Sequence, residues 1–273
     1  MSIADKVFAG SIPEIYDTYL VPLIFESYAT DLAERIGAQT PRTVLETAAG
    51  SGVVPRALIS KLDEKARYVV TDLNQPMLDR AMAQQAPDSR IVWQQADALT
   101  LPFEDESFDA VCCQFGVMFF PDRVAGYREA LRVLRPGGRF FFNVWDSIQE
   151  NDFARVVTEA AGKLFPENPP LFLARTPHGY HDVAAIEADL HAAGFFKIQI
   201  ETLARRSLAR SPRDPAIAYC QGTPLRNEIE ARDATALERV TTAATEAIAK
   251  AYGDGAVSGK ISFQSPTTLF RRG

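Results

Sequence analysis

The residues best suited to chemistry in this chain are acids that close apolar runs. The stretch "LETAAGSG", residues 45–52, carries Glu46 into a turn of small residues with Gly50 and Gly52. Glycine admits positive φ and lets a ligand approach the backbone. A carboxylate beside the following helix would face the positive end of its peptide dipoles. The turn is not a dinucleotide fingerprint, which needs glycines at 48, 50 and 53, where Ala48 and Val53 stand; nor is it a P-loop, since no Gly-Lys-Ser/Thr follows. An acid here repels a pyrophosphate and suits a ligand carrying positive charge, such as a sulfonium amino acid. Two more acids follow. Asp72 closes "ARYVVTD", where a carboxylate can accept from both hydroxyls of a ribose. Asp97 closes "RIVWQQAD"; with Ala98 it could accept from an exocyclic adenine amine, or it could simply cap a turn.

The elements that must position these acids alternate. Residues 13–36 read as helical, with a break near Pro22. Apolar strands are expected at 42–47, 66–72, 90–97, 108–116 and 139–146, and helices at 52–62, 75–85 and 121–134, the last stopping at "RPGG". Pro55 fits only in the first turn of its helix, and Pro76 sits at a favourable start. Several strands are continuous apolar runs, as when helices cover both faces. The reading is an α/β fold with a doubly wound, mostly parallel sheet. A helix at 182–195 closing at Gly194 and a strand at 195–203 follow. Residues 207–255 read as a helical insertion, and a last strand is expected at 260–270 with an interruption at Pro266. Ligands of such a sheet sit beyond the carboxyl ends of its strands.

Bulk properties narrow the partners. The 273 residues carry a formal charge of −6, and the longest basic clusters are Arg205-Arg206 and Arg271-Arg272, which argues against nucleic acid. The thiols Cys112, Cys113 and Cys220 lie in apolar company and read as buried small hydrophobes, not as metal ligands or a disulfide. There is no signal-peptide pattern and no apolar run long enough to span a membrane, so a cytoplasmic location is expected.

Taken together, residues 42–146 resemble class I S-adenosylmethionine-dependent methyltransferases. "VLETAAGSG" resembles the family's first motif, "VVTDLNQPML" its second-strand motif, "QQADALTLPFEDESFDAV" its adenine-side motif and "LRVLRPGGRFFFNVW" the segment before strand five. "CQFGVMFFPD" resembles the branch with ubiquinone- and menaquinone-biosynthesis enzymes. One departure stands out: Ala48 replaces the first family glycine, which implies altered turn detail with cofactor binding kept. The resemblance implies a Rossmann-like, seven-stranded sheet and one methyltransferase domain over 1–273. Within it, 1–40 is an N-terminal helical cover and 42–146 the cofactor-binding core; the helical insertion at 207–255 could form a lid together with the N-terminal helix. It implies that Glu46, Ala48 and Gly50 line the methionine end of S-adenosylmethionine. Asp72 and Leu73 hold the ribose and flank adenine, Met77 lies on adenine, Asp97 and Ala98 meet its edge, and Gln114 faces the transferring methyl. Tyr16 or Tyr19, in "YDTYLVPLIF", reaches the carboxylate. Core packing is the rival reading for Met77, and capping of its strand for Gln114.

A hydroxyl or acidic-carbon acceptor needs a base. "RTPHGYHD" offers His178 and His181, with Tyr180 a further option; both histidines could equally be loop residues, and His191 reads as structural. The apolar stretches "LVPLIF", "GVMFF" and "PPLFLA" suggest a small hydrophobic or aromatic acceptor and O- or C-methylation. The alternatives are a cyclase-like or scaffold protein on the same fold, or an RNA or protein methyltransferase. The insertion could close over the site or pair with a second chain in a homodimer.

Overall fold

The computed structural model describes residues 12–269. The expected N-terminal cover and final strand therefore extend beyond the described residues at 1–11 and at 270.

The first helical run is α1 (Ile12–Ile15), a π-helical stretch over Tyr16–Phe25, and α2 (Glu26–Gly37). The expected break near Pro22 is instead this wide π stretch. In a straight α-helix the proline ring would collide with the carbonyl of Thr18, and the i→i+5 register relieves that crowding. There follow β1 (Thr43–Glu46), α3 (Val53–Leu58), β2 (Arg67–Asp72), α4 (Gln75–Gln84), β3 (Ile91–Gln95), β4 (Phe108–Gln114), α5 (Arg123–Val133) and β5 (Leu134–Trp145). Next are α6 (Asp152–Leu164), α7 (Phe172–Arg175), α8 (Val183–Ala193), β6 (Lys197–Ala209), α9 (Arg213–Gln221), α10 (Leu225–Arg232), α11 (Leu237–Tyr252) and β7 (Val257–Leu269). Asp122 caps α5 through Ala125 N–H, and Gly194, at φ 108°, ends α8 in the left-handed conformation that glycine tolerates.

The strands form one seven-stranded sheet in the order β3-β2-β1-β4-β5-β7-β6. The pairs β1·β2, β1·β4, β2·β3 and β4·β5 are parallel. The fold is the doubly wound, Rossmann-like sheet expected, with three helices inserted between β6 and β7. Several elements differ from expectation. The last strand is not interrupted at Pro266, α6 and α7 lie where no element was expected, and β5 starts at Leu134, so that "RPGG" lies within the strand and not in a stop before 139. β6 also runs six residues beyond its expected end at 203.

By internal contact the chain forms two compact units. The first comprises residues up to Phe25, Trp145–Tyr180 and Leu203–Phe263. Within it α11 packs on α9 and α6, and α9 on the π-helical stretch. Ser207 Oγ donates to the Leu23 carbonyl at 2.7 Å. The second comprises Glu26–Val144, His181–Thr202 and the chain from Gln264. Its core includes Phe140 and Phe142, stacked at 4.9 Å, with Tyr127 of α5 and Phe195 against them. This unit holds the carboxyl ends of β1 to β4, and so the three acids.

Candidate active site

The glycine turn is tied to the strands on either side of β1 by three hydrogen bonds. Thr47 N–H donates to the Cys112 carbonyl at 2.9 Å, Ala49 N–H to the Thr71 carbonyl at 3.0 Å, and Thr71 Oγ1 to the Glu46 carbonyl at 2.8 Å. Its backbone is left-handed at Ala48 (φ 53°), Gly50 (φ 57°) and Gly52 (φ 80°). Ala48, where the first family glycine stands, takes a left-handed backbone that favours glycine, at a cost of about 1–2 kcal/mol. Its side chain points at Gly116, where a Cβ would lie 2.6 Å from that of Ala48.

Aligned residues of parallel strands share a face, as do residues two apart. Glu46 aligns with Val70 and Cys112, Cys112 with Phe141, and Gln114 with Asn143. Glu46, Asp72, Gln114 and Asn143 therefore occupy one face, at the strands' carboxyl ends. Phe140 and Phe142 occupy the other, against α5.

Glu46 is 1% exposed. Tyr68 donates a hydrogen bond to its Oε2, while Oε1 is buried with no hydrogen-bond partner among the described residues. Burial raises the carboxyl pKa to about 8, reinforced by Asp72 and opposed by Tyr68 and Arg56. Asp72 is also buried. Its Oδ2 accepts from Gly50 N–H and its Oδ1 from Asn74 N–H, both at 2.8 Å. Burial raises its pKa, against the lowering effect of those bonds. Asn74 Nδ2 also donates to Oδ1, at 3.4 Å, so of the carboxylate's about four lone-pair sites the one left open by these bonds is on Oδ2.

The remaining predicted residues are placed as follows. Leu73 is 45% exposed directly after Asp72. Met77 is buried in α4, as core packing requires. Asp97 is exposed, its Oδ1 accepting from Leu99 N–H at 2.9 Å in a turn of the kind its capping reading describes, and Ala98 is half-buried beside it. Gln114 is half-buried at the end of β4. Tyr19 is half-buried in the π-helical stretch and belongs, with His178, to the first unit; His181 belongs to the second. His178 is buried, its Nδ1 2.9 Å from the Asp146 carbonyl. A carbonyl only accepts, so Nδ1 carries the proton and Nε2 is the basic nitrogen of the neutral ring. His191 Nδ1 lies 3.0 Å from the Phe195 carbonyl, a helix-end contact matching its structural reading.

Three notable residues in or beside these strands escaped the sequence reading. Tyr68 could be found only through its partner, because an aromatic in a strand is ordinary. Asn143 had a signal: it is an amide inside the apolar run "FFFNVW". Phe115, left-handed at φ 52° and buried, had none.

A methyltransferase domain family matches residues 45–142. A demethylmenaquinone methyltransferase of Clavibacter sepedonicus is 30% identical over 169 residues, 59% of this chain and 68% of the relative. The chain belongs to the class I S-adenosylmethionine-dependent methyltransferases, in their menaquinone- and ubiquinone-like branch. Solved methyltransferases share the fold. Phosphoethanolamine N-methyltransferase 2 of Haemonchus contortus, solved with S-adenosyl-L-methionine, superposes with a TM-score of 0.61 at 17% identity, over 100% of this chain and 60% of that one. The (4+2)-cyclase SpnF superposes with a TM-score of 0.53 at 17% identity, over 89% of this chain and 81% of that one. For a member of this methyltransferase family, the turn at 46–52 and the acid after β2 are the groups to test against the cofactor. They fit it: a buried carboxyl oxygen without a partner suits a cation, and backbone bent by positive φ suits close approach. No helix among the described residues is long and apolar enough to cross a membrane. No cluster of metal-binding side chains occurs among them either.

Proposed function

We propose that this methyltransferase acts on a small, hydrophobic or aromatic acceptor, at oxygen or carbon. The observation that carries the cofactor assignment is Glu46: a carboxyl buried at a glycine turn, one oxygen without a protein partner, on the face shared with Asp72. Bound S-adenosylmethionine supplies a methyl group on a positively charged sulfur that is its own leaving group. The chain's part is to hold, desolvate and orient. Glu46 balances positive charge at the methionine end, where Ala48 and Gly50 leave room. Asp72 accepts from the ribose hydroxyls. Leu73 covers adenine, and Asp97 and Ala98 meet its edge. Met77 contributes from beneath, and Tyr19 and Gln114 act at the methionine and methyl ends. The proton of a hydroxyl or acidic-carbon acceptor is taken by a base sought at His178 and His181. The support for an apolar acceptor is the relative whose name makes it a methyltransferase of demethylmenaquinone.

Calorimetric titration with S-adenosylmethionine and S-adenosylhomocysteine, beside Asp72→Ala, tests the cofactor assignment. Micromolar binding lost in the variant is the expected result; no binding by protein freed of copurified product would overturn it. Screening phenols and quinols for S-adenosylhomocysteine formation then tests the acceptor class. The cyclase-like alternative, whose support is the shared fold with SpnF, predicts acceptor turnover without that product.

A further inference from the structure

Asn143 is a fully buried amide in β5, and neither its Oδ1 nor its Nδ2 has a hydrogen-bond partner among the described residues. An unsatisfied buried amide is a standing cost, and such a group in a folded protein calls for a reason. Its place in the sheet suggests one. The inference rests on the cofactor reading above, in which adenine, ribose and methionine follow the ends of β3, β2 and β1. The sheet continues in the same direction through β4 to β5. The next strand ends on the same face therefore belong to the molecule that receives the methyl. Those ends carry Gln114 and, aligned with it, Asn143. Phe115, beside Gln114, packs edge-on against Tyr28 at 5.7 Å, which gives the locality an apolar wall.

We propose that Asn143 binds the acceptor through a hydroxyl on an otherwise apolar molecule. A hydroxyl both donates and accepts, and an amide offers the complementary pair in one plane. An amide carries no charge, so it would position a neutral acceptor without acting as its base. Because the amide is fully buried, an analogue lacking the hydroxyl would leave it unpaired and be rejected. Half-exposed Gln114 is the neighbour whose rotation gives access.

The test uses protein saturated with S-adenosylhomocysteine, with p-cresol and toluene as probes in ligand-observed NMR. Wild type is expected to bind p-cresol about tenfold or more tightly than toluene, and Asn143→Leu to abolish that preference. Asn143→Leu is also expected to keep its S-adenosylhomocysteine affinity within about twofold and to melt at or above the wild-type temperature, since it removes an unpaired amide without opening a cavity. If that variant fails to fold, Asn143→Ser carries the same test and is expected to weaken p-cresol selectively. Equal binding of the two probes by wild type would overturn the proposal. So would a tenfold loss of S-adenosylhomocysteine affinity in either variant, which would place Asn143 among the cofactor contacts. Failure of wild type to bind S-adenosylhomocysteine at all overturns the cofactor reading itself, and this proposal with it.

Discussion

The phenol hydroxyl of Tyr68 donates to Oε2 of Glu46, and both side chains are buried beneath the glycine turn. The pair places an acid where a cation is expected, while burial, reinforced by Asp72, keeps that acid protonated up to about pH 8.

The pair makes the free protein sensitive to pH. Folded, Glu46 holds its proton until about pH 8; unfolded, it loses it near the ordinary 4.5. Between those values the native state binds the extra proton, so its stability falls as pH rises through that window. Glu46→Gln should flatten this part of the profile, read as melting temperature between pH 5 and 8. Cofactor binding should tighten with rising pH over the upper part of the window, because a cation favours the ionised acid. Tyr68→Phe leaves Oε2 without its donor and should cost about 1–3 kcal/mol in denaturant melts.

Asp72 joins the turn to the end of β2. Asp72→Ala removes the acceptor of both the Gly50 and Asn74 N–H groups. The expected result is a loss of about 1–3 kcal/mol of stability and at least a hundredfold loss of S-adenosylhomocysteine affinity, since its charge-assisted bonding to the ligand goes with it. Unchanged affinity in calorimetry would remove Asp72 from the site.

Ala48 and Gly116 are a packing pair. A Cβ at Gly116 would sit 2.6 Å from Ala48 Cβ and 2.7 Å from Cys113 Sγ. Gly116→Ala should therefore destabilise by about 1–3 kcal/mol. Ala48→Gly relieves one of the two contacts, so the double variant should recover part of that loss. A double-mutant cycle on denaturation midpoints measures the coupling.

The cysteines should be inert. Cys112, Cys113 and Cys220 are buried free thiols, and burial raises the pKa of Cys113 and Cys220 to about 12. Thiolate is the reactive form. Iodoacetamide at pH 7.5 should label none of the three in native protein and all three after denaturation, counted by mass spectrometry.

His178→Ala should slow methyl transfer about 10²–10⁴-fold with cofactor affinity unchanged, as loss of a general base does. An unchanged rate, measured once an acceptor is in hand, would shift the assignment to His181.

Local signals determined much of this protein. Continuous apolar runs separated by helical spacing made the alternating fold legible, because strands covered on both faces need no polar residues. The stretch "ETAAGSG" and Asp72 marked the turn and strand end proposed to hold the cofactor, because a glycine-rich turn and an acid closing a strand are properties of neighbouring residues. The tertiary structure decided the rest. Pro266 sits inside a continuous strand, and β7 lies between β5 and β6, neither of which follows from local spacing. The left-handed backbone of Ala48 and Phe115 is imposed by what the turn and strand end must join. The raised pKa of Glu46 and the unpaired amide of Asn143 come from burial. Burial depends on residues distant in the chain, so the sequence supplied these side chains and only the packed sheet gave them their properties.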